Sequence, residues 1–288
     1  MRTTRAQHPC CDSSPISAEW LKATHSGYVE CQRELVRGLH LVPRPRDARG
    51  LFRLRAERWE WSGLSPVLYG YRYSVYLRIA RMVLTEKGVT YSQVEVNPFA
   101  ADMPKQYLDL HPFGRVPALV HGDFALHETE AVTRYVDEAF CGPALQSIEP
   151  RQRARMAQII SIIDSYGYVP MVRQVFSQRI FGPCLGRATD EAQIRAGIEN
   201  SLRVLSALES IAALDGPIAG GAVWSLADFH LAPMMAYFTA APEGEEAIAR
   251  HPKLSAWWDV MRQRSSLCET DPGLPDQLGG ELLTASAS

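Results

Sequence analysis

Residues 65–129 read SPVLYGYRYSVYLRIARMVLTEKGVTYSQVEVNPFAADMPKQYLDLHPFGRVPALVHGDFALHET, and the order of patterns inside this stretch decides the fold. Pro66-Val67-Leu68-Tyr69, stopped by Gly70, is a short strand. Val75–Lys87 follows with Leu77, Ala80, Val83 and Leu84 on one helical face, and Gly88 closes it. Val89–Val96 sets Tyr91, Val94 and Val96 among polar residues and reads as a second strand, broken by Asn97-Pro98. Pro104–Leu110 has the composition of a short helix with proline at its first position. Val116–Val120 and Phe124–Leu126 are two further strands around a His121-Gly122-Asp123 turn. Glu128–Phe140 is helical again, with Ala131, Val132, Tyr135 and Val136 on one side. The order is β-α-β, an irregular link, then β-β-α. A strand–helix–strand start implies a right-handed parallel crossover, and the hairpin adds an antiparallel strand. The expected product is a compact α/β, thioredoxin-like domain over 65–142.

Strand signals vanish after Pro150, and residues 150–268 read as an all-helical domain. Arg151–Phe181 is a long helical pattern with Met156, Ile159, Ile160 and Ile163 on one face and a kink predicted at Pro170. A second helix runs from Thr189-Asp190-Glu191 to about Leu214, with Ile194, Ile198, Leu202, Leu205 and Leu208 as its apolar side. Ser225–Ala240, Glu243–Arg250 and Pro252–Arg264 complete the set, the last carrying Leu254, Trp257, Trp258 and Met261. Residues 269–288 are rich in Pro, Gly and Ser and read as a flexible tail. Residues 1–64 show weak periodicity, with short helical turns at Trp20–Leu21 and Glu34–Leu39. They read as a disordered or over-long N-terminal extension.

Composition narrows the function classes. The chain has 288 residues, 46% of them hydrophobic, so it can bury a sizeable core. Its formal charge of −2 is split into +4 over residues 1–62 and −6 over the rest, too slight a basic excess for a nucleic-acid surface. No apolar run reaches the roughly 18–20 residues of a membrane span. The six cysteines form no C-x-x-C and no zinc-like cluster with histidine, so no metal is expected, and scattered thiols fit a reducing, cytoplasmic setting.

Four constellations could carry chemistry. Ser74 follows Tyr69-Gly70-Tyr71-Arg72-Tyr73 at the N-terminus of the first helix, where unpaired N–H groups and the positive dipole end meet. A hydroxyl there can cap the helix, and it can also hold a thiolate. Arg115-Val116-Pro117 is a candidate cis bend, or a trans proline opening an edge strand; a cis bend would present the Val116 backbone to an extended peptide. Glu128-Thr129 at a helix start suits the ammonium and carboxylate of an α-amino acid, or a plain cap. Ser225-Leu226-Ala227-Asp228 is a capping box with a structural role, whose loss costs ~1 kcal/mol or more.

The run Leu68-Tyr69-Gly70-x-x-x-Ser74, the Glu86-Lys87-Gly88 helix end, His111 to Leu119, Leu126-His127-Glu128-Thr129 and the Ser225–Asp228 box resemble the cytosolic glutathione transferase superfamily over about residues 65–268. The pattern is similar to its serine-type, theta- and phi-like members of bacterial type. The resemblance implies glutathione as co-substrate, Ser74 hydrogen-bonded to its sulfur, and the Val116 backbone beside a cis Pro117 pairing its cysteinyl part. It further implies Glu128 and Thr129 at the γ-glutamyl end, and Arg115, with Lys105 as a second candidate, at the glycine carboxylate. Tyr71, Tyr73 and Tyr69 are rivals of Ser74, because other classes use a tyrosine near this strand end. His111 and Thr129 stand where the family usually has Asn and Ser. The electrophile would lie against Tyr71, Tyr168, Met171, Val172 and Phe176, with Tyr166 a further candidate. The implied activity is transfer of the glutathione thiolate to an electrophilic small molecule, or to a hydroperoxide oxygen. A non-catalytic glutathione-binding or protein-interaction module is the alternative. The family also implies a homodimer.

Overall fold

A computed structural model describes residues 64–275. Readings that fall on residues 1–63 and 276–288 lie outside the described residues. The chain runs β1 (Val67–Gly70), α1 (Val75–Glu86), β2 (Ser92–Glu95), α2 (Lys105–Leu110), β3 (Ala118–His121), β4 (Phe124–His127) and α3 (Thr129–Ala139). The four strands form one sheet in the order β2-β1-β3-β4. β1 pairs parallel with β2 and antiparallel with β3, and β3 pairs antiparallel with β4. The parallel crossover through α1 and the later hairpin therefore assemble as their order implied. Gly122, at a φ of 63°, supplies the left-handed residue that the tight β3–β4 turn needs.

The helical half follows: α4 (Pro150–Ile162), a π-helical segment (Ile163–Phe181), a single turn at Gly182–Cys184, α5 (Glu191–Ile211), α6 (Leu226–Phe238), α7 (Pro242–Ala249), α8 (Pro252–Met261) and α9 (Ser265–Glu269). α1 packs on α3 on one side and on α6 and α9 on the other. This is why Val75, Leu77, Ile79, Ala80, Met82, Val83 and Leu84 are all buried, and not just one stripe. Burying each large side chain of this set is worth about 1.5–3 kcal/mol. α6 is the central helix, with every residue from Leu226 to Met235 buried.

Polar contacts lock the two halves together. His230 of α6 is wholly buried, its Nε2 lies 3.1 Å from Thr133 Oγ1 of α3, and burial drives its pKa down to about 3, so the ring is neutral. Glu86 at the end of α1 accepts both Arg264 Nε and an Arg264 terminal nitrogen at 2.6 Å, and also the Ser266 hydroxyl. Arg78, buried in α1, donates to the Leu267 carbonyl at 2.9 Å and faces Asp271 at 3.4 Å. The chain beyond Glu269 is thus anchored as far as Asp271: Thr270 is 2% exposed, and Arg81 reaches its carbonyl. The flexible tail expected from residue 269 does not begin there, because Arg78 and Arg81 of α1 donate to the Leu267 and Thr270 carbonyls.

Other expectations shift for identifiable reasons. The long helix is not a single α-helix kinked at Pro170: from Ile163 it widens to π-helical turns that contain Pro170. α5 crosses this segment closely at Gly197, where a Cβ would lie 3.0 Å from the Pro170 carbonyl oxygen and 2.7 Å from the Gln174 Cβ. Closest approach at Gly197 rotates the buried face of α5 toward Ile194, Gly197, Ser201, Val204, Leu205 and Leu208, leaving Ile198 and Leu202 only partly covered. β2 is an edge strand exposed at all four positions, so its alternation buries nothing. In α3 the inward residues are Thr129, Val132, Thr133 and Val136, while Ala131 faces solvent.

Candidate functional site

Ser74 is the N-cap of α1, with extended backbone (φ −73°, ψ 125°). Its Oγ accepts the Leu77 N–H at 3.4 Å, and its carbonyl accepts the Arg78 N–H at 3.0 Å. The Val75 and Tyr76 N–H groups, in the first turn, have no partner within the helix. The hydroxyl uses its oxygen in the cap and keeps its hydrogen to donate. Three favourable features therefore converge at one point: an O–H, two amide N–H groups and the positive end of the helix dipole. Capping and anion binding, alternatives in the sequence, are compatible in this geometry.

The tyrosines of the same loop pack on neighbouring rings. Tyr69 packs on Tyr107 with ring centroids 6.2 Å apart. Tyr71 and Tyr73 contact each other edge-on at 5.4 Å, and Tyr73 meets Phe181 at the end of the π-helical segment. Burial, then the neighbouring Tyr73 and Glu95, push the Tyr71 phenol above its ordinary pKa.

The Val116–Pro117 peptide is cis, the first of the two forms the sequence allowed. The bend is held from below, because Tyr107 of α2 donates its hydroxyl to the Arg115 carbonyl. His111, at the end of α2, is 2% exposed and meets the His127 ring at a tilt, with centroids 4.7 Å apart. Burial and then the neighbouring His127 lower its pKa, so it is an uncharged plug beneath the bend.

Glu128 has a φ of 71°, in the left-handed region, the one described non-glycine residue there. Such a backbone costs on the order of 1–3 kcal/mol and is typical of ligand-holding positions. It turns the chain sharply from β4 into α3, leaving Glu128 exposed and Thr129 buried at the helix start. Arg115 is exposed on the neighbouring loop, and its charge acts on both His111 and Tyr76. Lys105 is exposed at the start of α2 and has no hydrogen bond or ion pair with any described residue.

Two residues of this face escape sequence reasoning. Asp164, on the π-helical segment, has a buried Oδ1 without a hydrogen-bond partner among the described residues. Burial, then the carboxylates of Glu130 and Glu128, push its pKa up to about 7. Tyr76, in the first turn of α1, meets the Tyr168 ring at a tilt with centroids 5.0 Å apart, and burial followed by Asp164 drives its phenol well above its usual range. A single acidic residue in a long helix carries no local signal; only the tertiary fold brings it under the influence of Glu130 and Glu128.

Because the folded pKa of Asp164 lies above the unfolded value, the unfolded chain ionises first as pH rises. The stability tied to this group is complete below about pH 4 and is lost as pH climbs toward 7, a difference on the order of 4 kcal/mol. Asp164→Asn is therefore expected to raise the melting temperature by several degrees at pH 8 and to leave it unchanged at pH 4. Equal melting temperatures at pH 8 would mean that the carboxyl carries no such penalty.

The expected electrophile wall is only partly a surface. Met171, Val172 and Phe176 belong to the core, and Phe176 lies flat on Tyr237 at 4.5 Å. Tyr168 faces Tyr76 and the Asp164 side, whereas Tyr71 lies on the side facing the end of the π-helical segment. Tyr166 is 67% exposed. The open aromatic surface beside Ser74 is instead built from Tyr71, Tyr73, Phe99 and Phe181. Among the described residues no group of three or more His, Cys, Asp or Glu side chains could hold a metal ion, and no helix is long and apolar enough to cross a membrane.

Comparison with known proteins agrees with this layout. Residues 68–144 match the glutathione S-transferase N-terminal domain model, and residues 191–259 match the C-terminal domain model. Glutathione S-transferase 3 of Zea mays is 29% identical over 209 residues, spanning 72% of this chain and 94% of its own length. Glutathione S-transferase F9 of Arabidopsis thaliana is 32% identical over 195 residues, covering 66% and 89%. Among solved structures, the maize glutathione S-transferase I in complex with an atrazine glutathione conjugate superposes with a TM-score of 0.63 at 26% identity, covering 72% of this chain and 96% of its own.

Proposed function

The chain belongs to the glutathione S-transferase family, and from that premise we propose that it transfers the thiolate of glutathione to electrophilic small molecules, with Ser74 as the group that stabilises the thiolate. The observation that carries this reading is the start of α1, where the Ser74 hydroxyl and the first-turn amides converge. A thiol of pKa ~8.5 placed there is acidified by hydrogen bonds to its charged form and by the helix dipole. The thiol proton leaves to solvent. The sulfur lone pair then forms a bond to the electrophilic carbon, and the leaving group departs with its bonding electrons. Holding the two reactants side by side and keeping the sulfur ionised supply the rate enhancement.

The remaining residues fit the rest of the tripeptide. The Val116 backbone beside the cis Pro117 would pair with the cysteinyl part. Thr129 and the α3 N-terminus would take the γ-glutamyl carboxylate, with Glu128 at its ammonium. Arg115, rather than Lys105, would meet the glycine carboxylate, since its charge already reaches Tyr76 and His111. We add Asp164 to this set: its unpartnered carboxyl adjoins Glu128, and a ligand ammonium would relieve the repulsion among the three carboxylates. The penalty that Asp164 imposes on folding is then retained for binding. Asp164→Asn should raise the KM for glutathione severalfold with little change in kcat. The same family resemblance extends the reading to a homodimer in the cytoplasm.

The direct test is conjugation of glutathione to 1-chloro-2,4-dinitrobenzene, followed by the absorbance of the product. Turnover above the uncatalysed rate supports the transferase. Retention on immobilised glutathione without turnover across a panel of electrophiles would favour the non-catalytic module instead.

A further inference from the structure

The open surface beside Ser74 holds charges that thiolate stabilisation does not require. Phe99 projects from the β2–α2 link and is 66% exposed, yet it meets the Tyr71 ring edge-on at 6.1 Å. The Arg173 guanidinium stands over the Phe99 face, 5.5 Å from its centre. Tyr73 continues the wall to Phe181 at 5.3 Å. Directly beyond Phe181 the chain turns through Gly182–Cys184, and the Arg187 N–H bonds back to the Gly182 carbonyl at 3.0 Å. Both Arg173 and Arg187 are exposed, and neither has a carboxylate partner among the described residues. Arg179, between them in sequence, is by contrast saturated by Glu191 and Glu243.

The Tyr71 phenol registers Arg187, while Arg173 is placed by its position over Phe99. Burial, Tyr73 and Glu95 raise its pKa, while Arg187 and Arg72 oppose the rise. Glu95 is the acidic group of this rim, and its Oε1 accepts the Arg72 backbone N–H at 3.0 Å. A purely apolar electrophile would use the rings and leave both guanidiniums idle. An electrophile that carries its own negative charge would use them twice. They would bind its anionic group, and they would offset the repulsion between that group and the thiolate at Ser74.

We propose that Arg173 and Arg187 select planar aromatic electrophiles bearing an anionic substituent, with the ring against Tyr71, Tyr73, Phe99 and Phe181 and the anion on the two guanidiniums. The inference rests on the glutathione-transfer reading and adds the substrate class to it. In the reaction the anionic group is a spectator: sulfur displaces a leaving group from the ring, one S–C bond forms, one carbon–halogen bond breaks, and halide leaves with the electron pair.

The test compares 4-chloro-3,5-dinitrobenzoate with 4-chloro-3,5-dinitrobenzamide, each kcat/KM divided by the uncatalysed rate constant with glutathione. The acid should be favoured at least tenfold, and 0.5 M NaCl should shrink the preference. In the Arg173→Gln/Arg187→Gln double variant the acid should lose at least tenfold more than the amide. Equal handling of acid and amide by the native protein, or a preference that survives in the double variant, overturns the proposal. If neither compound is turned over, the transferase reading fails on its own. The selectivity is then read from calorimetric binding of the two preformed glutathione conjugates: tenfold tighter binding of the acid conjugate supports it, and equal affinity overturns it.

Discussion

Ser74→Ala should lower kcat for conjugation by ten- to a hundredfold, while the KM for glutathione changes less than threefold. The donor removed acts on sulfur, and its contribution is largest when the sulfur is charged. Removing a single such donor from a preorganised anion site costs catalysis rather than binding. The amides of the first α1 turn and the dipole remain, which limits the loss. Because Ser74 also caps α1, the same change should cost about 1 kcal/mol of stability, or a few degrees in melting temperature. Ser74→Thr separates the two roles, for it keeps both hydroxyl and cap and should recover most of the turnover. Full activity in Ser74→Ala would transfer the role to a tyrosine of the same loop, and Tyr71→Phe would then be the variant that loses turnover.

The second large effect is on folding. Asp228 is wholly buried and accepts four hydrogen bonds: Ile218 N–H and Trp257 Nε1–H on one oxygen at 2.7 and 2.9 Å, and the Ser225 N–H and hydroxyl on the other at 2.7 and 2.8 Å. Burial raises its pKa, and these four donors work against that rise. The carboxylate ties the α5–α6 connection, the start of α6 and α8 together. Asp228→Ala should therefore cost about 3–5 kcal/mol, well above the ~1 kcal/mol of an ordinary cap, because it leaves several buried donors unsatisfied. A domain of this kind has only about 5–15 kcal/mol to lose, so Asp228→Asn is the variant to carry through urea denaturation if the alanine form does not accumulate. A loss under 1 kcal/mol for both would reduce the residue to a simple helix start.

How much of this was legible beforehand depends on the range of the interaction. The crossover and the hairpin follow from local patterns: a short apolar run stopped by Gly70, a helical stripe closed by Gly88, and the Gly122 turn. Ser74 and Glu128-Thr129 were visible because caps and helix starts leave signatures a few residues long. The Ser225–Asp228 box was equally visible, but the Ile218 and Trp257 donors that make Asp228 indispensable come from elsewhere in the chain. Asp164 was silent for the same reason, since its pKa is raised first by burial and then by Glu130 and Glu128, which are remote from it in sequence. On the electrophile side, helical spacing does not separate an inward aromatic from an outward one. Phe176 turned to Tyr237 and the core, while Phe99, in a link without periodicity, became part of the open wall.

The central claim concerns the ionisation of one sulfur atom. The absorbance of the thiolate near 240 nm, followed from pH 5 to 10 with the protein saturated by glutathione, reads it without any electrophile present. The account predicts that bound glutathione titrates at least one unit below its free value, and that Ser74→Ala moves the midpoint back toward that value. A midpoint in the native protein equal to that of glutathione in water would contradict it.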